Sequence, residues 1–232
     1  MKTISRILIH PLLIMGMVFI LINGCRKDDT IQGNGSSVSD FDGNIYHTMT
    51  IGTQIWMVEN LKTTHYSDGS PIPNISNNTA WANLATGAYC NYNNDTNNVI
   101  TYGRLYNWFA ISGSRNLAPT GWHIPTDSDW ATLENYLGGE SISGGKLKEV
   151  GTTHWQSPNT GATNLTGFTA LPGGYRKYTG SFGYIGVYGD FWTSTEDPPL
   201  NALMQGMSYN YNYVNNFYYY KNGGYSVRCI KD

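Results

Sequence analysis

Thr126-Asp-Ser-Asp-Trp-Ala-Thr-Leu-Glu-Asn-Tyr-Leu-Gly-Gly139 reads as the clearest helix in the chain. Thr126 and Asp129 form a Thr-x-x-Asp capping signature, in which hydroxyl and carboxylate meet early backbone N–H groups. Trp130, Leu133 and Leu137 line one face, and Gly138-Gly139 stop the helix. Upstream, residues 104–111 read as a second short helix, with Leu105, Trp108 and Phe109 at i, i+3 and i+4. Residues 146–150 add one further turn. Before these helices, residues 45–50 and 55–58 are two short strands joined through Gly52-Thr53. After Gly151 the chain changes character. Residues 168–171, 175–178, 184–187, 191–195, 203–213 and 225–230 are candidate strands. Gly173-Gly174, Gly180-Ser181, Asn215-Asn216 and Gly223-Gly224 supply the turns between them. Helices early and strands late predict an α+β fold with antiparallel sheets and two short helices, not an alternating parallel architecture.

The composition fits one such domain. Of 232 residues, 40% are hydrophobic, 14% aromatic and only 13% charged, where average soluble domains carry roughly 25% charged residues. Solvation therefore falls to Asn, Thr, Ser, Tyr and Gly. A net charge of −2 excludes a generic nucleic-acid binder, which needs clustered Lys and Arg. Collagen, coiled coil and wholesale disorder are excluded by the missing periodicities and the many aromatics.

Residues 1–24 are an address and not part of the fold. Lys2 and Arg6 give a positive start, and an apolar run follows that is about as long as a signal-peptide core and short for a bilayer span. It ends in Leu21-Ile22-Asn23-Gly24-Cys25, which resembles the lipobox of bacterial lipoproteins. The resemblance implies cleavage before Cys25 and lipidation of its thiol and new amino terminus; several acyl chains anchor a protein stably. An ordinary signal peptide ending near a cysteine is the plainer alternative. Arg26-Lys27-Asp28-Asp29 resembles the surface-export signal of Bacteroidetes lipoproteins, which implies the outer face of an outer membrane; periplasm-facing attachment is the alternative. Residues 25–39 then form the lipidated cysteine and a Gly/Ser/Asn-rich flexible tether, and residues 40–232 a single domain. Loss of Lys2 and Arg6 takes the net charge from −2 to −4.

Cys90 and Cys229 remain once Cys25 is lipidated. In an exported, oxidising setting such a pair usually means a disulfide, here enclosing 139 residues. Chain-entropy models give about 5 kcal/mol for a loop of that size. Two buried free thiols are the alternative.

Six blocks in order resemble the Fibrobacter succinogenes major paralogous domain. They are Asp40-Phe-Asp-Gly-Asn-Ile-Tyr46; Ile51-Gly-Thr-Gln-Ile-Trp-Met57 with Glu59-Asn-Leu61; Tyr102-Gly-Arg-Leu-Tyr-Asn-Trp108; Gly121-Trp-His-Ile-Pro-Thr126; Phe191-Trp-Thr-Ser-Thr195; and Gly224-Tyr-Ser-Val-Arg-Cys229. That family occurs on exported bacterial proteins, often lipoproteins, and brings no general biochemical function. The block order is also similar to the formylglycine-generating-enzyme and C-type-lectin folds, which implies a compact, loop-rich, C-type-lectin-like domain with twisted antiparallel sheets. Their chemistry does not transfer. The close cysteine pair is missing, and so are the Glu-Pro-Asn and Trp-Asn-Asp calcium motifs. His47, His65, His123 and His154 are scattered singly. The analogy therefore gives a scaffold and no mechanism.

Few residues suggest chemistry. Asp40, Asp42 and Asn44 alternate side-chain oxygens as a calcium site does, and Asp95 with Asn93 and Asn94 forms a second polar loop. An Asp-Gly-Asn turn explains the first set equally. Calcium is the one cofactor the sequence admits. Tyr209, Tyr211 and Tyr213 alternate with Ser208, Asn210 and Asn212, so a strand would place three rings on one face. Such a platform stacks on sugar C–H faces, while cross-strand packing explains the same letters. Trp81 and Trp155 sit among polar residues and read as ligand-facing. His123 reads as a structural hydrogen-bonder, and Glu196-Asp197 as a solvated acidic pair. Neither a nucleophile elbow nor a His-Glu-x-x-His or phosphate-loop motif occurs. The expected function is a non-enzymatic surface module binding a glycan or another extracellular ligand. A protein-interaction module of a surface complex comes second and an enzyme last.

Overall fold

The computed structural model describes residues 36–232. The address segment, Cys25 and most of the tether lie outside the described residues. Among the described residues, no helix is long and apolar enough to cross a membrane.

The fold is α+β. Strands β1 (Ser37–Ser39), β2 (Ile45–Ile51) and β3 (Gln54–Met57) open the domain. The hairpin between β2 and β3 turns at Gly52, whose φ of +63° suits glycine. The last residues of the expected tether pair with β2, so folded structure begins before Asp40. A middle section carries α1 (Asn78–Ala82), β4 (Tyr89–Cys90), α2 (Asn97–Tyr102), β5 (Leu105–Tyr106), α3 (Trp108–Ile111) and β6 (Trp122–His123). Then come α4 (Asp127–Tyr136), α5 (Glu140–Leu147), β7 (Tyr175–Arg176) and β8 (Phe182–Gly183). The chain closes with β9 (Tyr188–Asp197), β10 (Asn201–Ser208), β11 (Asn215–Tyr220) and β12 (Ile230–Lys231). One sheet runs β1-β2-β3-β12-β6, so the last strand lies between early ones; a second runs β11-β10-β9. All paired strands are antiparallel.

Helix α4 forms as the letters predict. Thr126 Oγ1 accepts from the Asp129 N–H, and the Asp129 carboxylate accepts from the Thr126 N–H at 2.8 Å. Trp130, Leu133 and Leu137 are buried together. Trp130 meets Trp56 of β3 edge-on, with centroids 5.1 Å apart, and both pack on Phe168. Among the described residues five α-helices form where two were expected, because three of them are short pieces stitched into loops.

Several expectations are corrected. The expected strand over residues 184–187 is a turn between β8 and β9, and Asn215-Asn216, expected as a turn, open β11. Residues 104–107 are not helical: Tyr106 exchanges backbone hydrogen bonds with Tyr225, and the helix starts only after Asn107, whose side chain caps it. The expected strand over residues 168–171 reduces to one bridge between Lys148 and Ala170. The expected strand over residues 203–213 stops at Ser208. There the buried Lys148 ammonium collects the carbonyls of Thr160, Ser208 and Tyr211 at 3.0, 2.8 and 2.6 Å. Curling three carbonyls onto one cation is incompatible with extended chain. Helix α5 makes room for the curl, since a side chain at Gly144 or Gly145 would strike the backbone of Tyr213 or Gly161.

Cys90 and Cys229 are not bonded to each other. Cys90 sits in a small cluster with Trp81, Tyr92 and Leu105, and Cys229 in the principal core with Met57 and Trp192. Burial pushes the Cys90 thiol up to about 12 and raises that of Cys229 as well, so neither is a ready nucleophile. The melting temperature is accordingly expected to be the same with and without dithiothreitol, by calorimetry. A fall of several degrees on reduction would restore the bond.

Candidate functional site

The sites expected from sequence disperse. Asp40 turns inward and accepts hydrogen bonds from the Asn44 backbone, the Asn44 amide and the Tyr46 hydroxyl at 2.6–2.9 Å. Asp42 faces Thr64 and His65. Asp95 accepts from the Asn97 N–H on another loop. Asp40 and Asp42, expected in one calcium site, thus face separate sets of protein donors, and so does Asp95 of the second loop. Among the described residues, no group of three or more His, Cys, Asp and Glu side chains is arranged to hold a metal ion. Gly43 carries a φ of +79° here, so the Asp-Gly-Asn letters build a turn.

Trp81 and Trp155 are core residues and not ligand-facing. Trp81 is the buried residue of the one-turn α1; Arg176 covers its ring at 4.4 Å and Gly224 lets it approach the backbone. Trp155 donates to the Ala170 carbonyl at 3.0 Å beneath Lys148. The polar neighbours that suggested exposure belong to α1 itself at Trp81 and to a loop at Trp155. His123 is a structural hydrogen-bonder, 2.7 Å from Asp232 and 3.4 Å from Asp129. Glu196 accepts from Lys221.

Because the chain curls after Ser208, the three tyrosines do not share a strand face. Tyr209 packs against the second core cluster, while Tyr211 and Tyr213 stack on each other with centroids 4.8 Å apart. Of the five expected ligand residues, only Tyr211 reaches the cleft described next.

This cleft, of about 270 Å³, opens on the β9-β10-β11 sheet. Tyr175, Tyr188, Tyr211, Phe217, Tyr218, Tyr219 and Tyr225 wall it. Tyr218 is 62% exposed and forms the rim, while Tyr225 is fully buried. The Tyr225 ring contacts Trp192, Tyr175 and Tyr219, with centroids 4.7, 5.3 and 5.4 Å away. The Tyr225 hydroxyl lies beside that of Tyr219.

At the floor lies Asp190, 4% exposed. It sits opposite Gly206 in the β9–β10 register, and a Cβ there would come within 2.9 Å of its carboxylate oxygen. The missing side chain of Gly206 therefore opens the space the carboxyl uses. Burial pushes the Asp190 carboxyl up to about 8, and among the described residues no cation or hydrogen bond offsets that burial. At neutral pH it is mostly a neutral acid. Asp190 was legible in principle, because Tyr188-Gly-Asp-Phe-Trp192 places one acidic residue inside an aromatic strand. The other wall residues come from four distant segments, and no local pattern joins them.

Fold and cleft define an antiparallel α+β domain with an aromatic hollow sized for a small ligand or a head group. The chain belongs to the Fibrobacter succinogenes major domain family, whose family model matches residues 49–231. The block at Asp40-Phe-Asp-Gly-Asn-Ile-Tyr46 lies outside the matched span. No curated protein and no solved structure matches the chain.

Proposed function

We propose that this protein is an exported, lipid-anchored outer-membrane module that binds an extracellular ligand, a glycan or another small group, in the tyrosine cleft, and is not an enzyme. One observation carries the reading: exposed ring faces converge on a buried polar floor with a free acidic group. Aromatic walls with a few placed polar groups are the usual make-up of a ligand site. Cys25 carries the anchor in this reading. The finer fold expectation, a C-type-lectin-like arrangement, is supported by the closing strand β12 lying beside β6, which leads into the Ile-Pro-Thr-capped α4.

A second reading has its own support. β11 is the outer strand of its sheet and exposes Phe217, Tyr218 and Tyr220, with Tyr178 and Leu200 also exposed nearby in the fold. Unpaired strand edges and apolar patches favour protein partners.

The test is a glycan and small-molecule binding panel on the full-length chain in non-ionic detergent. Saturable binding that is lost in Tyr211→Ala and Tyr218→Ala, with both variants folded, is the expected result. Silence across the panel, together with crosslinking of a cell-surface protein to Tyr220, would move the assignment to a protein-interaction module. A Cys25→Ala chain is expected to leave the membrane fraction; retention there would remove the anchor.

A further inference from the structure

Inside this domain, aromatic pockets hold cations. The Arg176 guanidinium lies 4.4 Å from the Trp81 ring and 4.7 Å from Phe182. Arg228 lies 4.2 Å from Phe168 and 5.2 Å from Phe191. Lys148 sits 5.4 Å from Trp155. The tyrosine cleft has the same kind of wall and adds a carboxyl, yet among the described residues no Lys or Arg lines it. Lys177 lies over Tyr184, outside the lining. Ring faces and a carboxylate both attract positive charge. The Asp190 carboxyl is almost wholly buried and opens onto the cleft, where a bound cation would give it a partner.

We propose that the cleft binds an organic cation, specifically an alkylammonium head group, with Asp190 as its counter-ion and the rings of Tyr175, Tyr188 and Tyr219 around it. This inference rests on the reading of the cleft as a ligand site and names the chemical class of the ligand. A volume of about 270 Å³ suits a head group with the rest of the molecule outside. Binding displaces the proton of Asp190, so affinity rises with pH. The titratable groups facing Asp190 are the phenols of Tyr175 on β7, Tyr188 on β9, Tyr219 on β11 and Tyr225. Burial, with smaller contributions from charge on neighbouring tyrosines and Asp190, raises all four, so they stay neutral. β10 presents Met204, Gly206, Met207 and Ser208, which carry no charge.

Choline is the probe, since its charge is permanent and any pH dependence belongs to the protein. Its uncharged carbon isostere is the control. Calorimetric titrations use the full-length chain in non-ionic detergent, at about pH 6.5 and about pH 8.5. Choline is expected to bind roughly tenfold or more tightly at the higher pH, because only the ionised fraction is competent. Proton release is expected at the lower pH, read from two buffers of different ionisation enthalpy. Asp190→Asn is expected to lose both the pH dependence and about tenfold in affinity at the higher pH. Equal binding of the isostere, or unchanged choline binding in Asp190→Asn, would overturn the cation and leave the cleft a ligand site. Failure of choline to bind wild type overturns the inference, and the glycan panel then judges the broader reading by itself.

Discussion

At about pH 8.5, Asp190→Asn is expected to melt some 5–10 °C above the wild-type protein, whereas near pH 4 it should melt a few degrees below it. The sign follows from linkage. Asp190 holds its proton up to about pH 8 in the folded protein, and an unfolded aspartate loses it near 3.9. Below the unfolded value both states are protonated and the residue contributes no pH dependence. As pH rises from about 4 towards 8, only the unfolded chain gives up its proton, so stability falls; above 8 it levels off. Each unit of separation is about 1.4 kcal/mol, so the full cost is several kcal/mol. The asparagine amide returns part of it as a buried donor without a partner, about 1–3 kcal/mol. At about 2–4 °C per kcal/mol for a domain of this size, the net gain is the stated rise. Thermal melts of both chains across this pH range give the comparison. A wild-type melting temperature that is flat between about pH 5 and 8.5 would mean that the carboxyl is partnered or hydrated.

Replacing Arg228 has the opposite sign and similar size. Its guanidinium is wholly buried; Nε and Nη2 donate to Asn60 Oδ1 at 3.1 and 2.7 Å, and Nη1 donates to the Phe168 carbonyl. Asn60 in turn donates to the Tyr102 carbonyl at 2.9 Å. One side chain thus joins the early Asn60 segment, the Phe168 loop and the closing segment. Burial lowers its pKa to about 9, with Glu59 opposing, and it remains charged at neutral pH. Arg228→Met leaves two buried acceptors without donors, which costs about 3–5 kcal/mol and lowers the melting temperature by about 10 °C. Arg228→Lys should recover little, since an ammonium cannot present the same fork to Asn60 and Phe168. Asn60→Leu with Arg228→Met should cost less than the sum of the single changes, because the unsatisfied carbonyl oxygen of Asn60 disappears with its donor. Chemical denaturation of the four variants measures this. Additive costs would mean that the two side chains act independently.

Much of the frame was legible locally. The α4 capping box, the β2–β3 hairpin and the family blocks are short-range patterns, decided by neighbours within four residues or by the turn between them. Elements governed by distant partners were misread. The strand expected through Tyr213 ends at Ser208 because Lys148, some sixty residues earlier, gathers the carbonyls. Tyr106 extends because Tyr225 pairs with it. Trp81 and Trp155 looked wet from their neighbours in sequence, and are dry because Arg176 and Lys148 cover them. Spacing and redox setting could not decide the cysteines, since each thiol follows its own cluster into the interior.

The sequence by itself determined an antiparallel α+β domain, the position of its best-capped helix and its family. These depend on periodicity, capping and ordered blocks, which are properties of contiguous chain. Only the tertiary structure decided the cleft. A carboxyl acquires its character from what surrounds it, and the tyrosines around Asp190 come from β7, β9, β11 and the closing segment. A single acidic letter in an aromatic strand becomes the acid of a tyrosine cleft only when those segments fold over it.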